Sequence, residues 1–522
     1  MEDAFASKEE PLQSCESPVS LFQLIESVWG GDNSQPLHRF CSLMRKMKAK
    51  SFVQEELLAN QELADEQEMV AKCFRSPVDT VATRLTFFSQ WADAPLTDEN
   101  ILGYAVVVKI RCPDGKIKTH LLEAVVRPPS VVLLDAAKPF IKPITNYYVH
   151  NVRAFRTCVG TKRHPQIFTI TGSFFTQQNQ ITSVCAHACL RMAMNSSPFV
   201  KCGKITNKQI NDILGADTYG QGLSQNQIVA VVRNLGCQCH SANFSNETGV
   251  EYDHFMYPSL ESCFPTILGI EYWDRREQRV AGHVVTVLGH TINSDRWEPE
   301  AVRGYGGYPL KPYIPTAEWC DHYIISDDNF GMYSTLPTDA IRNYLVPAKN
   351  PNRHASMAVS IVPEDVTMPG YIAEQFAVDK ATKLINTVRL QVPNVWHERL
   401  REKSDGLVCR TLLQTKRNYT SFVKHHAAQL TAEQQSCFDS LSEYVWVSEV
   451  SLPDIYTANK HKLGDVVLRA DATRQESSAG RSLALAWFPG FIQIGCHPNV
   501  SPWAIGTHVP LIRSTENPLL EW

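Results

Sequence analysis

The chain has 522 residues, 43% hydrophobic and 20% charged, which suits two to four domains of about 100–200 residues and excludes wholesale disorder. Fifty basic against 54 acidic side chains leave a formal charge of -4, so no broad basic footprint marks a nucleic-acid partner. No apolar run reaches the roughly 18 residues of a membrane span, and the opening MEDAFASKEEP has acidic residues but no apolar h-region. A cytoplasmic chain with no membrane or nucleic-acid partner is expected. Its 15 cysteines should then be mostly reduced thiols buried as small hydrophobes.

The first region, residues 1–78, is expected to be helical. Ser20 to Trp29 suggests a short helix, and Gln54 to Phe74 a longer one carrying Leu57, Leu58, Leu63, Met69, Val70 and Cys73. The locally basic stretch between them suits a solvated helix face. A β-rich region, 79–165, follows. LTFF, YAVVVKI, KTHLLEAVV and SVVLL are β-branched and aromatic, and Pro113-Asp114-Gly115 is a hairpin turn. A third region, 166–345, starts with the strand-like QIFTITG. In the last region, 346–522, Ile372, Phe376, Ala377, Ala381, Leu384, Ile385 and Val388 keep a helical period. VVLRAD and SLALAWF are strand candidates there, so that region is mixed α/β. The whole is expected to be α+β.

Chemistry concentrates in the third region. Within Gln177 to Met194, Thr182 or Ser183 is a candidate N-cap, and Ala188, Cys189, Met192 and Ala193 form a buried helical stripe. Cys185 then falls in the first turn, where unpaired backbone N–H groups and the helix dipole favour a thiolate, the nucleophilic form. An upstream glutamine, Gln180 or Gln178, can donate a side-chain N–H to an oxyanion. Further on, PTILGIEY, the turn DRREQRV and Gly282 to Gly289 form a hairpin whose second strand His283 opens. Another strand, Tyr323 to Ser326, ends in Asp327-Asp328-Asn329, where a carboxylate can orient an imidazole. Asp327 directly follows the strand and is favoured over Asp328. His187, two residues past Cys185 on the helix, points elsewhere and is a poor base.

This order of glutamine, helix-borne cysteine, strand-borne histidine and aspartate resembles the papain-like cysteine peptidases. The local words are most similar to the bacteriocin-leader (double-glycine) peptidase family, through Cys185-Ala186-His187-Ala188-Cys189-Leu190-Arg191-Met192 and the His283-Val284-Val285 strand. Capping boxes at Thr206 and Ser224, with helix-ending glycines at Gly215 and Gly236, match its small helical insertion. The resemblance covers Thr171 to Tyr333, about a third of the chain. Ala186 replaces the family's usual glycine, Asp327-Asp328 its Asp-Pro, and its glutamine spacing falls between Gln180 and Gln178. No transporter half accompanies it, so leader processing coupled to export is not implied.

The resemblance implies a papain-like domain over 166–345, a Cys185–His283–Asp327 triad, and Gln180 or Gln178 at the oxyanion, without cofactor or metal. The expected activity is hydrolysis of a peptide or isopeptide bond in a protein or peptide substrate, with a regulatory partner protein in keeping with the long flanks. Amide transfer or deamidation shares the same thioester, and a non-catalytic peptide-binding module is the reading from another class. Zinc is the competing chemistry, with Cys185, Cys189, Cys237, Cys239 and His240 as nominal ligands, but their spacing matches no standard finger.

Overall fold

Three sheets organise the chain in a computed structural model. It describes residues 15–16 and 21–512 except 31, 59, 92–93, 130–146, 150, 162–163, 216–221, 245–249, 275–277, 292–296, 305–310, 344–353, 427–431, 460, 474, 477–480, 496–502 and 505–510. The fold is α+β. The first sheet is antiparallel, in the order Cys15–Glu16, Ser51–Glu56, Asp79–Phe88, Ile101–Arg111, Ile117–Val126, Gln166–Phe175, Arg153–Val159. Its Pro113-Asp114-Gly115 turn closes as expected. Gly115 takes a φ of +83°, open to glycine, and Asp114 accepts from the Lys116 N–H at 3.0 Å.

The second sheet holds the residues of chemical interest. Its main antiparallel run is Gly331–Pro337, His322–Asp327, Arg279–Thr291, Thr266–Asp274, His354–Val362, and Gln238–Asn243 pairs on the far side of His354–Val362. In the third sheet Tyr313–Pro315 lies parallel to Leu407–Thr415. Tyr444–Ser451, Gly464–Arg469, Leu483–Phe488, Phe491–Ile494 and Trp503–Ala504 follow antiparallel.

Strand pairing crosses each expected boundary. Ser51–Glu56 pairs with Asp79–Phe88 across 78/79, Arg153–Val159 with Gln166–Phe175 across 165/166, and Thr266–Asp274 with His354–Val362 across 345/346. The long helix expected over Gln54 to Phe74 is instead the strand Ser51–Glu56 followed by a helix, Gln61–Phe74. Asn60 sets the start of that helix, its side chain accepting from the Leu63 N–H at 2.9 Å. The helices Leu21–Val28 and Gly370–Thr387 match the periodicities that announced them. The SVVLL strand candidate lies outside the described residues, as do residues 275–277 of the DRREQRV turn. No described helix is long and apolar enough to cross a membrane.

The helix Cys185–Ser196 packs on Gln166–Phe175 of the first sheet and on Arg279–Thr291 of the second. One core therefore joins both sheets through it, with Phe40, Phe87 and Leu121 on one side, Cys189 and Met192 in the helix, and Val284, Ile324 and Val359 on the other. Each such large apolar side chain contributes about 1.5–3 kcal/mol on burial. A second core packs Gly370–Thr387 on the third sheet.

Candidate active site

Cys185 is the first residue of its helix and is half-buried, while every later residue of the helix is buried. The N-cap is Val184, not Thr182 or Ser183. Those two are engaged by Asn179, whose Oδ1 accepts from the backbone N–H groups of Ile181, Thr182 and Ser183 at 2.8, 2.7 and 3.1 Å. Valine offers no capping acceptor. His187 substitutes from the third helical position, its Nδ1 accepting from the Val184 N–H at 3.4 Å and its Nε2 bonding Asn211 Oδ1 at 2.9 Å. This fully buried imidazole is thus committed to the helix start, in keeping with its expected exclusion as a base.

Two bonds tie the cysteine helix to the histidine strand. The Cys189 thiol donates to the Val284 carbonyl at 3.2 Å, and the Thr286 hydroxyl donates to the Cys189 carbonyl at 3.2 Å. Burial pushes the Cys189 thiol well above the ordinary range, so it stays protonated and structural.

His283 does not open its strand but lies within it, opposite Ile270 in the Thr266–Asp274 pairing. Its side chain is 17% exposed. Nε2 lies 3.1 Å from Asp327 Oδ1 and 3.7 Å from Asp328 Oδ1. Cys185 also acts on the ring and helps to hold it protonated; with Nε2 taken by Asp327, Nδ1 is the nitrogen left to face it. Burial alone would depress the imidazole. The hydrogen bond to Asp327, the neighbouring Cys185 and the charges of Asp327 and Asp328 outweigh it and raise the pKa to about 11.

Asp327 ends the strand His322–Asp327 and accepts from the Asn329 N–H at 2.8 Å. Asp328 is fully buried, and neither of its carboxylate oxygens completes a hydrogen bond of good geometry. Burial lifts its pKa to about 7, with Asp327 adding to the rise. The His283 charge and the backbone N–H groups of Asp328 and Gln178 oppose it. The structure thus brings Cys185, His283, Asp327 and Asp328 together, with the Gln178 backbone beside Asp328. Gln180 differs: it is exposed and sits in the left-handed region at φ +59°. Of the two glutamines, Gln178 is the one whose backbone reaches Asp328.

Ligand-type atoms of His283, Asp327 and Asp328 lie within 4.8 Å of one another, the one such three-residue group among the described residues. Cys237, Cys239 and His240 join neither Cys185 nor Cys189 in a comparable group. Cys239 and His240 run along the strand Gln238–Asn243, and His240 Nε2 bonds the Val366 carbonyl at 3.1 Å.

Sequence reasoning passed over three supports. Asn179 anchors the approach to Cys185, and Glu66 and Glu62 of the helix Gln61–Phe74 reach Asn179 and Arg191. Arg39 donates to the carbonyls of Met332 and Tyr333, just past the aspartate turn. Only Asn179 had a local signal, an asparagine ahead of a Thr-Ser turn. A comparison of the chain with protein-family models finds no match, and a comparison with curated proteins finds none either.

Proposed function

We propose that the chain is a cysteine peptidase of papain-like topology, most similar to the double-glycine leader peptidases, that hydrolyses peptide or isopeptide bonds in a cytoplasmic protein substrate. The observation that carries this reading is one constellation: Cys185 at a helix start, acting on the ring of His283, whose Nε2 bonds Asp327 at 3.1 Å. Such a helix start and a neighbouring imidazolium both stabilise a thiolate.

In this mechanism Cys185 Sγ adds to the substrate carbonyl carbon, and the oxyanion is held by the Cys185 backbone N–H and the Gln178 side chain. His283 gives its proton to the leaving amine as the C–N bond breaks, leaving a thioester. It next takes a proton from water, whose oxygen attacks the thioester and frees the carboxylic acid and the Cys185 thiolate, which restores the starting thiolate–imidazolium pair. Asp327 holds the imidazole in register and stabilises its cation. The hairpin beyond His283 carries exposed Tyr272, Trp273 and Val280, and the turn beyond Asp328 carries exposed Phe330, apolar surfaces suited to an extended polypeptide.

Thiol labelling tests the reading. Under limiting iodoacetamide near neutral pH, Cys185 should alkylate fastest of the 15 cysteines, with exposed Cys73 as the internal reference. His283→Ala should lower that rate by about 10–100-fold. A Cys185 no faster than Cys73, in a protein shown to be folded, overturns the proposal.

A further inference from the structure

A buried acid of the N-terminal region contacts the loop that leads to Cys185. Glu66, on the helix Gln61–Phe74, is 2% exposed and accepts from the Asn179 side-chain amide and from Asn207 Nδ2 at 3.4 Å. Asn179 is 3% exposed and is the hub of the following turn. Its Oδ1 takes the three backbone N–H groups of Ile181, Thr182 and Ser183 together with the Ser183 hydroxyl at 3.2 Å. Its Nδ2 reaches Thr182 Oγ1 at 2.7 Å, and its own N–H reaches Ser183 Oγ at 3.0 Å.

An amide offers an oxygen on one side and N–H donors on the other. Turned over, the Asn179 amide would set donors against three backbone donors in a buried turn, leaving each without an acceptor at about 1–3 kcal/mol apiece. The Glu66 oxygen accepts from Nδ2 and thereby selects the orientation the turn requires. The same helix also grips the nucleophile helix, since Glu62 Oε1 accepts from Arg191 Nη2 at 2.6 Å. Gln178 immediately precedes Asn179 and Cys185 lies two residues past Ser183, so this turn sets the distance between both oxyanion donors.

We infer that Glu66 and Asn179 are positioning residues, which fix the loop between Gln178 and Cys185 and so set the oxyanion-stabilising geometry of the site. The inference rests on the peptidase reading and adds to it that the N-terminal helix is an integral part of the catalytic assembly. Neither residue touches the reacting atoms. Their loss should therefore spare the nucleophile and impair only the step that develops an oxyanion.

Two probes separate those steps. Iodoacetamide alkylates Cys185 by displacement at a methylene carbon, with iodide leaving and no oxyanion formed. With p-nitrophenyl acetate the Cys185 thiolate adds to the carbonyl, the carbon–oxygen bond breaks, and p-nitrophenolate leaves an acetyl thioester through a tetrahedral oxyanion. The burst absent from Cys185→Ala reports this second reaction. Glu66→Ala should slow the burst by about 30–100-fold, the scale of losing an aligned oxyanion donor, and change alkylation less than about threefold. Glu66→Gln keeps an acceptor oxygen for Nδ2 and should hold both rates within about threefold of the parent. Equal loss of both rates in Glu66→Ala, or loss of neither, overturns the inference. If circular dichroism shows Glu66→Ala unfolded, Asn179→Ala is read by the same ratio. A parent protein in which Cys185 reacts no faster than Cys73 removes the peptidase reading itself, a result distinct from an unaltered ratio in a reactive protein.

Discussion

At the residue scale, two adjacent carboxyls beside one imidazole are in unequal circumstances. Asp327 is bonded to His283 and to the Asn329 N–H, whereas Asp328 lies fully buried with its oxygens unsatisfied and its pKa near 7. Asp327→Asn should therefore lower Cys185 alkylation by about 10²-fold, because the amide can turn a donor toward Nε2 and forfeits the charge that favours imidazolium. Asp328→Asn should change that rate less than about fivefold and stabilise the fold. The sign follows from proton counts. Between the unfolded carboxyl pKa near 3.9 and the folded value of about 7, the native state binds the extra proton, so its stability falls as pH rises through that window. The gain from Asp328→Asn should accordingly grow from pH 4 to 7 and level off above, reaching on the order of 2 kcal/mol in urea unfolding. A gain independent of pH, or an alkylation loss larger than that of Asp327→Asn, would reverse the assignment of the two acids.

At the element scale, the aspartate turn depends on a helix nearly 300 residues away in sequence. Gly331 follows the turn at φ +106°, and a Cβ there would meet Arg39 Cβ at 2.7 Å, on the helix Gln35–Lys46. Gly331→Ala thus combines left-handed strain with a clash and should cost about 1–3 kcal/mol. Because Arg39 also holds the Met332 and Tyr333 carbonyls, Cys185 alkylation should slow as Asp327 shifts. Urea unfolding and labelling check both, and an unchanged midpoint would show that the turn has room to relax.

The legibility of the site follows the same divide between local and distant causes. The His283 and Asp327 strands could be read because β-branched runs bounded by turns carry their own signal, and the Thr206 and Ser224 capping boxes lie within four residues each. The cap of the cysteine helix could not. Thr182 and Ser183 have the right chemistry, but Asn179 engages them first and His187 caps from inside the helix. The left-handed φ at Gln180 carried no signal that sets it apart from Gln178, and the strand Ser51–Glu56 was hidden because its partner, Asp79–Phe88, is non-local. The sheet contribution of His354–Val362 escaped for that last reason too.

At the scale of the whole molecule, a buried ionic chain joins the third sheet to the back of the sheet that carries His283. Arg410 on Leu407–Thr415 bonds Glu261 at 2.5 Å and Glu449 at 2.9 Å, and the other Glu261 oxygen takes His290 Nε2 at 2.7 Å on the strand that carries His283. Lys462 continues the chain to Glu449 at 2.9 Å and Asp465 at 2.8 Å. Apart from Glu261 at 7%, the Arg410, Glu449, Lys462 and Asp465 side chains are at most 2% exposed. Such a chain is weak evidence of net stabilisation, since desolvation offsets most of the attraction, but removing one member strands the rest. Arg410→Ala leaves Glu261 and Glu449 without their shared cation and should cost about 3–5 kcal/mol in urea unfolding. Arg410→Ala combined with Glu261→Gln and Glu449→Gln should recover part of that loss, because the stranded charges go with the cation. None of these residues approaches Cys185, so alkylation per folded molecule should stay within about twofold throughout. A loss below about 1 kcal/mol for Arg410→Ala would mean that water or rearrangement reaches the pair. A slowed Cys185 in a folded variant would mean that the third sheet acts on the site's chemistry as well as on its stability.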